Sequence, residues 1–222
     1  PDTVCIAFVV SGKCDGRKRL YQLLKKKATL VAFDPLDDRE LTQWIAKTLS
    51  RAGKQISLAA CQRLWFSAGR DLTLLSNEIG KLIGYTGERS DVTEADVDAI
   101  CVKSTEYKVY DLADALLSGQ GAKALQMLSA LLRDGEERLM LLALLGRQCR
   151  QLKYAKALSV AGAQPGEIAG KLGIPPFAAR KTLSLAQRYS LPQLSQMARL
   201  CLDAEYDTKS GVIMEQGALE QV

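Results

Sequence analysis

Apolar residues change their spacing once along this chain, close to Pro35. Before it, Val4 to Val10 reads VCIAFVV and Thr29 to Phe33 reads TLVAF. Short unbroken apolar runs rich in β-branched residues are the pattern of strands buried on both faces. Between them Gly12 and Gly16 break the chain, and Arg17 to Lys27 (RKRLYQLLKKK) sets Leu20, Leu23 and Leu24 at helical intervals. Strand, helix, strand at this spacing predicts a βαβ unit with a parallel pair. Two buried strands cannot cover both faces and both edges of a doubly wound sheet. The expectation is therefore that more of a parallel-sheet domain precedes residue 1.

From Asp38 onward the period becomes that of a helix. Asp38 to Ala52 places Leu41, Trp44, Ile45, Thr48 and Leu49 along one stripe, and Gly53 ends it. Ser57 can cap a helix through about Ala68 that carries Leu58, Leu64 and Trp65 and stops at Gly69. Asp71 can cap the next, with Leu72, Leu75, Ile79 and Leu82 at helical spacing. Thr93 and Asp96 have capping-box spacing, with Asp where Glu or Gln is usual, and open a short helix to Cys101. Residues 38–102 predict a compact bundle of about four helices. A hydrophilic linker, Lys103 to Lys108, leads to a second bundle. Its helices are expected near 109–118, 122–133, 136–160, 165–172, 176–189 and 191–210, with a last one near 214–222. The predicted class is mostly α, with a βαβ remnant of a parallel-sheet domain at the start.

Composition narrows the chemistry more than the fold. With 222 residues, 47% hydrophobic and 25% charged, the chain is an ordinary globular sequence of one large or two to three small domains. No apolar run approaches the roughly 18 residues of a membrane span, and no charged-then-apolar leader opens the chain, so a cytoplasmic location is expected. Histidine is absent, which removes Ser-His-Asp and Cys-His catalysis and the commonest transition-metal ligand. Six cysteines (Cys5, Cys14, Cys61, Cys101, Cys149, Cys201) include no C-x-x-C pair, arguing against a zinc ribbon and for reduced, mostly buried thiols. The net charge of +5 is compatible with a nucleic-acid neighbour without requiring one.

Four stretches could carry a site. A phosphate loop needs G-x-x-x-x-G-K-[ST] between strand and helix, and no segment matches; Gly119-Gln120-Gly121-Ala122-Lys123 reads as a turn between helices. The acids Asp34, Asp37, Asp38 and Glu40 could hold a divalent cation through oxygen, but negative charge on a first helical turn explains them better. Arg147, Arg150, Lys153 and Lys156 recur every third residue, as a backbone-tracking stripe or a solvated face. Residues 165–189 have the outline of a helix-turn-helix in which Phe177, Arg180, Lys181 and Thr182 would face DNA. That is the alternative function, a DNA-binding regulator; a corner inside a helical bundle is the plainer reading.

The order of these parts resembles the delta subunit of the bacterial DNA polymerase III clamp loader, an AAA+-related family. Asn77-Glu78-Ile79-Gly80-Lys81-Leu82 is similar to the family's N-E-I-x-K-L lid segment, with Gly80 where a charged residue is usual. Val92-Thr93-Glu94-Ala95-Asp96-Val97 follows it as in the family. Asp111 to Leu116 (DLADAL) resembles the opening of the collar, and Leu144 to Arg150 resembles its L-L-x-R-Q-x-R helix, carrying Arg147, Gln148 and Arg150. Leu172 to Phe177, with Pro176 and Phe177, resembles a collar turn. Glu205 with Lys209-Ser210-Gly211 resembles a D-x-x-x-K-[ST]-G ending, with Glu in place of Asp.

This resemblance implies three parts: residues 1–36 from an AAA+-like α/β domain, 37–103 a helical lid, and 104–222 a helical collar that mediates oligomerisation. It implies a non-catalytic subunit of the DNA polymerase III holoenzyme, the assembly that has DNA-directed DNA polymerase activity. No cofactor, metal or catalytic residue is implied. The implied partners are other clamp-loader subunits through the collar, and the sliding clamp through a family element before residue 1. Primed-template DNA is the third, with Lys209 and Ser210 as candidate contacts.

Overall fold

The computed structural model describes residues 4–12, 14–214, 217 and 219. The chain forms two compact units, one ending at Asp37 and the other beginning at Asp38.

The first unit holds one helix, α1 (Arg19–Lys27), with lysines at 25, 26 and 27 in its last turn, where the C-terminal end of the helix dipole favours positive charge. The two expected strands are not there. Residues 4–10 and 30–33 form no helix and no ladder, and Ile6, Phe8, Val9 and Phe33 are exposed. A β-branched run becomes a strand only when a neighbour accepts its N–H and C=O groups, and none lies alongside among the described residues. The βαβ reading is corrected to a helix between two segments without strand pairing.

The second unit is helical from its start, and the chain as a whole is mostly α. Four helices come first: α2 (Asp38–Ser50), α3 (Leu58–Ala68), α4 (Leu72–Thr86) and α5 (Glu94–Ile100). α2 buries Leu41, Ile45 and Leu49 at i, i+4 and i+8, the stripe its sequence shows. The next three begin at the expected caps: Ser57 accepts from the Ala60 N–H, Asp71 from Leu74, and Thr93 from Asp96. The one parallel pair among the described residues is short and unforeseen. β1 (Gln55–Ile56) lies beside β2 (Asp91–Val92), with Gln55 opposite Asp91 and Ile56 opposite Val92. Each strand leads directly into a cap, so the pair sets α3 and α5 side by side. The buried Lys54 closes the loop beneath it, its ammonium donating to the carbonyl oxygens of Gly87 and Arg89.

Six more helices follow: α6 (Thr105–Leu117), α7 (Gly121–Arg133), α8 (Arg138–Val160), α9 (Pro165–Leu172), α10 (Pro176–Gln187) and α11 (Leu191–Lys209). α8 is the axis, packed against α6, α9, α10 and α11. Val109, Leu112, Leu131, Leu141, Leu142 and Cys201 form the core around it. The expected linker at 103–108 is mostly helix, because the Ser104 hydroxyl accepts from the Tyr107 N–H and starts α6 early. Gly173 closes α9 with φ of 64°, a left-handed conformation that glycine adopts without strain. The helix expected near 214–222 falls largely on residues outside those described. Among the described residues no helix is long and apolar enough to cross a membrane.

Candidate functional site

The two helical groups meet where α3, α6 and α10 converge, and the meeting point is aromatic. The Phe66 ring stands nearly perpendicular to Tyr107, Tyr110 and Phe177, with centroids 5.6, 5.5 and 5.4 Å away. Edge-to-face contacts of this kind hold rings in one relative orientation. Charge surrounds the rings. Arg63 lies 5.0 Å over Phe177 and makes two bonds to Asp98, at 2.8 and 2.7 Å, and that carboxylate raises the guanidinium's pKa. The Lys181 ammonium sits 4.9 Å over Tyr110, 2.8 Å from Asp114 and 3.6 Å from Asp111. Lys103 sits over Tyr107 and reaches Asp111 at 2.9 Å. The backbone joins as well: the Ser104 N–H donates to the Ser67 carbonyl at 2.7 Å.

This placement decides how residues 165–189 are used. Of the four side chains that a helix-turn-helix would turn to DNA, Phe177 is held by Phe66 and Arg63, Lys181 by two carboxylates of α6, and Thr182 is buried. Arg180 alone is exposed. The corner is packed inward; Pro176 opens α10 and Phe177 reaches the other bundle.

The segment 77–82 is structural. Ile79 and Leu82 are buried, while Asn77 and Lys81 are exposed. Glu78 is 8% exposed; its carboxylate accepts from the Val102 N–H at 3.0 Å and pairs with Lys81 at 2.6 Å. It therefore ties α4 to the chain just beyond α5. Cys101 lies beside it, its thiol pushed up to about 12 by burial and by the Glu78 charge.

The basic stripe of α8 separates into different uses. Arg147 pairs with Glu106 at 2.7 Å, and Gln148 is buried. The Lys156 ammonium donates to the Gln187 carbonyl. Arg150 and Lys153 instead line an open groove of about 480 Å³ with Tyr154 of the same helix and Ser195, Ala198, Arg199, Leu202 and Asp203 of α11. Lys209 pairs with Glu205 at 2.6 Å, and the exposed Ser210 hydroxyl donates to the Asp207 carbonyl. Each motif has its own neighbours. They do not converge on one reacting centre.

Asp38 and Glu40 sit on the first turn of α2, and Asp38 pairs with Arg70 at 2.5 Å. Among the described residues no group of three or more Cys, Asp or Glu side chains could hold a metal ion. The aromatic junction was missed from the sequence because its members lie on three helices and Tyr107 stood in a segment read as linker. A signal existed: in a chain with 6% aromatic residues, Trp65 and Phe66 precede that segment, Tyr107 lies within it and Tyr110 follows it.

Comparison with known proteins places these features. The family model described as DNA polymerase III delta subunit, C-terminal domain, matches residues 106–222. DNA polymerase III subunit delta of Bacillus subtilis (strain 168) is 26% identical over 220 residues, 99% of this chain and 63% of the relative. The probable DNA polymerase III subunit delta of Aquifex aeolicus (strain VF5) is 25% identical over 173 residues, 76% of this chain and 49% of the relative. The solved structure of the Bacillus subtilis DNA clamp loader delta protein superposes with a TM-score of 0.63 at 27% identity, covering 94% of this chain and 61% of that one. The chain thus spans less than two thirds of the length of these relatives.

Proposed function

Because this chain belongs to the DNA polymerase III delta subunit family, we propose that it is a non-catalytic subunit of a cytoplasmic clamp loader. The observation that carries the reading is the likeness to two delta subunits, one of them over 99% of the chain. In this reading, residues 104–222 are the collar that docks onto partner subunits, 37–103 the lid, and 1–36 part of an α/β domain. The assembly places the sliding clamp on primed-template DNA, and polymerisation belongs to another subunit of the holoenzyme. Lys209 and Ser210 lie at the exposed end of α11, where a phosphate contact fits better than base readout.

The outer faces of the C-terminal helices support docking. Leu125, Val160, Leu202 and Tyr206 are all more than half exposed, and apolar side chains left in water on one domain are the raw material of an interface. A passive role is supported by the sequence, which offers no histidine and no G-x-x-x-x-G-K-[ST].

Mixing the chain with purified partner clamp-loader subunits tests the proposal. Co-elution on gel filtration is expected, lost when residues 104–222 are removed, with DNA binding of the assembly weakened by Lys209→Ala. ATP-dependent clamp loading that runs equally well without this chain would remove the reading.

A further inference from the structure

Gly146 brings α8 and α11 together. A Cβ at that position would lie 3.2 Å from the Cβ of Cys201, tighter than packed side chains normally accept, so the bare glycine lets α11 approach. One turn further along α8, the Cys149 sulfur faces the Cys201 sulfur at 3.9 Å. Two thiols separated by 52 positions in the chain therefore meet inside the core. Cys201 is buried, while Cys149 is only partly so. The assembly reading uses neither.

Their surroundings differ from those of Cys61 and the half-buried Cys101. Cys61 has its thiol pushed up to about 11 by burial, and Cys101 is raised likewise; such thiols are poor nucleophiles. In the facing pair, Cys149 shares its proton with Cys201, which together with burial raises Cys149. Accepting a hydrogen bond from the Cys149 thiol lowers Cys201, and the nearby Arg150 charge favours its thiolate. One sulfur is thus poised as an acceptor beside a sulfur that holds its proton. Cys5 and Cys14 are exposed and lie in the other unit.

We propose that Cys149 and Cys201 are a redox modification site, a dithiol that hydrogen peroxide converts reversibly into a disulfide between α8 and α11. One sulfur attacks peroxide and takes up an oxygen as a sulfenic acid, releasing water. The second sulfur then attacks the first, forming the S–S bond and displacing that oxygen as a second water. Two thiols and one peroxide give one disulfide and two waters; the two electrons pass from sulfur to peroxide. The sulfurs must close from 3.9 Å to about 2.05 Å, a shift that side-chain rotation and a small slide of α11 can share. The bond would fasten the helix that carries Lys209 and Ser210 to the helix that carries Arg147 and Gln148. It would also shorten the unfolded chain's freedom across the intervening residues. The inference rests on the two helices themselves and stands apart from the clamp-loader reading.

Peptide mapping of the whole chain decides it. The protein is treated with hydrogen peroxide, unfolded in iodoacetamide and digested with trypsin. Expected is a joined pair of peptides, Gln148–Arg150 with Leu200–Lys209, that separates on reduction with dithiothreitol. A melting temperature higher by about 5 °C in the oxidised form should accompany it and be absent from Cys149→Ser. Recovery of both peptides fully alkylated, under peroxide that has already oxidised Cys5 and Cys14, would overturn the proposal.

Discussion

The two helical bundles, α2–α5 and α6–α11, reach order by different means. In the first, side chains close the ends: Ser57, Asp71 and Thr93 cap three of its four helices, Lys54 holds two loop carbonyls, and Glu78 holds the Val102 N–H. In the second, Ser104 and Ser190 cap α6 and α11, but α7, α8 and α10 begin without any capping side-chain bond. The length of α8 and its burial on several sides hold the second bundle instead. Polar closure suits a small bundle, where each fixed terminus removes a large share of the chain's freedom, whereas a 23-residue helix can afford frayed ends. The lesson is that the first bundle relies on closed termini, whereas the second adds one long buried axis to a mixture of capped and uncapped helices.

The largest effect that would break this contrast lies on the axis. Leu142 is fully buried in the α8 core. Leu142→Ala leaves a cavity and should cost about 3 kcal/mol, within the range measured for buried leucines, read as a lower urea midpoint. A loss below about 1 kcal/mol would show that the core relaxes around the gap and that α8 is not the axis.

The sequence carried the first bundle almost whole. Its caps are local: a Ser, Asp or Thr just ahead of an apolar stripe names the start of a helix, and Ser57, Asp71 and Thr93 all do so. The mostly helical class and the division of the second bundle into α7 to α11 followed from glycine and proline breaks in the same way. What failed depended on distant partners. Val4 to Val10 has the composition of a strand, but a ladder is a property of two segments. The β1–β2 pair escaped because two residues are too few for alternation to register. At the candidate site, the single-helix relations were legible, Glu205 with Lys209 among them, while the Phe66 junction was not. No spacing rule joins α3, α6 and α10.

That junction supplies the second test. Phe66 touches Tyr107, Tyr110 and Phe177, so Phe66→Ala removes three edge-to-face contacts at once. A cost of about 2 kcal/mol is expected, less than for a fully buried ring because Phe66 is only partly enclosed. The more telling readout is cooperativity: hydrogen exchange should show α2–α5 opening independently of α6–α11 in the variant and together with it in the parent chain. Unchanged exchange would mean that the Arg63 and Ser104 contacts couple the bundles without the rings.

The smallest effect isolates polar closure, and pH gives it a sign. The Asp96 carboxylate accepts from the Arg89 guanidinium at 2.8 and 3.3 Å, from the Thr93 N–H at 2.9 Å and from the Thr93 hydroxyl at 2.8 Å. The Arg89 bonds first, then the Thr93 bonds, hold its pKa well below the usual carboxylate range. A group whose folded pKa is depressed adds stability that is fully present above its unfolded value, near 4, and lost as pH falls through the folded value. Asp96→Asn should therefore cost about 1 kcal/mol at pH 7, with the gap to the parent chain narrowing steadily below pH 4. Other carboxylates titrate in the same window, so the difference between the two proteins is the quantity to measure. Asp203→Asn serves as the reference in the other bundle. Its partner Arg199 is 81% exposed across a 3.4 Å pair, and such surface pairs contribute less than about 0.5 kcal/mol. A gap for Asp96→Asn that stays constant from pH 7 to strong acid would mean the capping geometry alone, and not the charge, closes the first bundle.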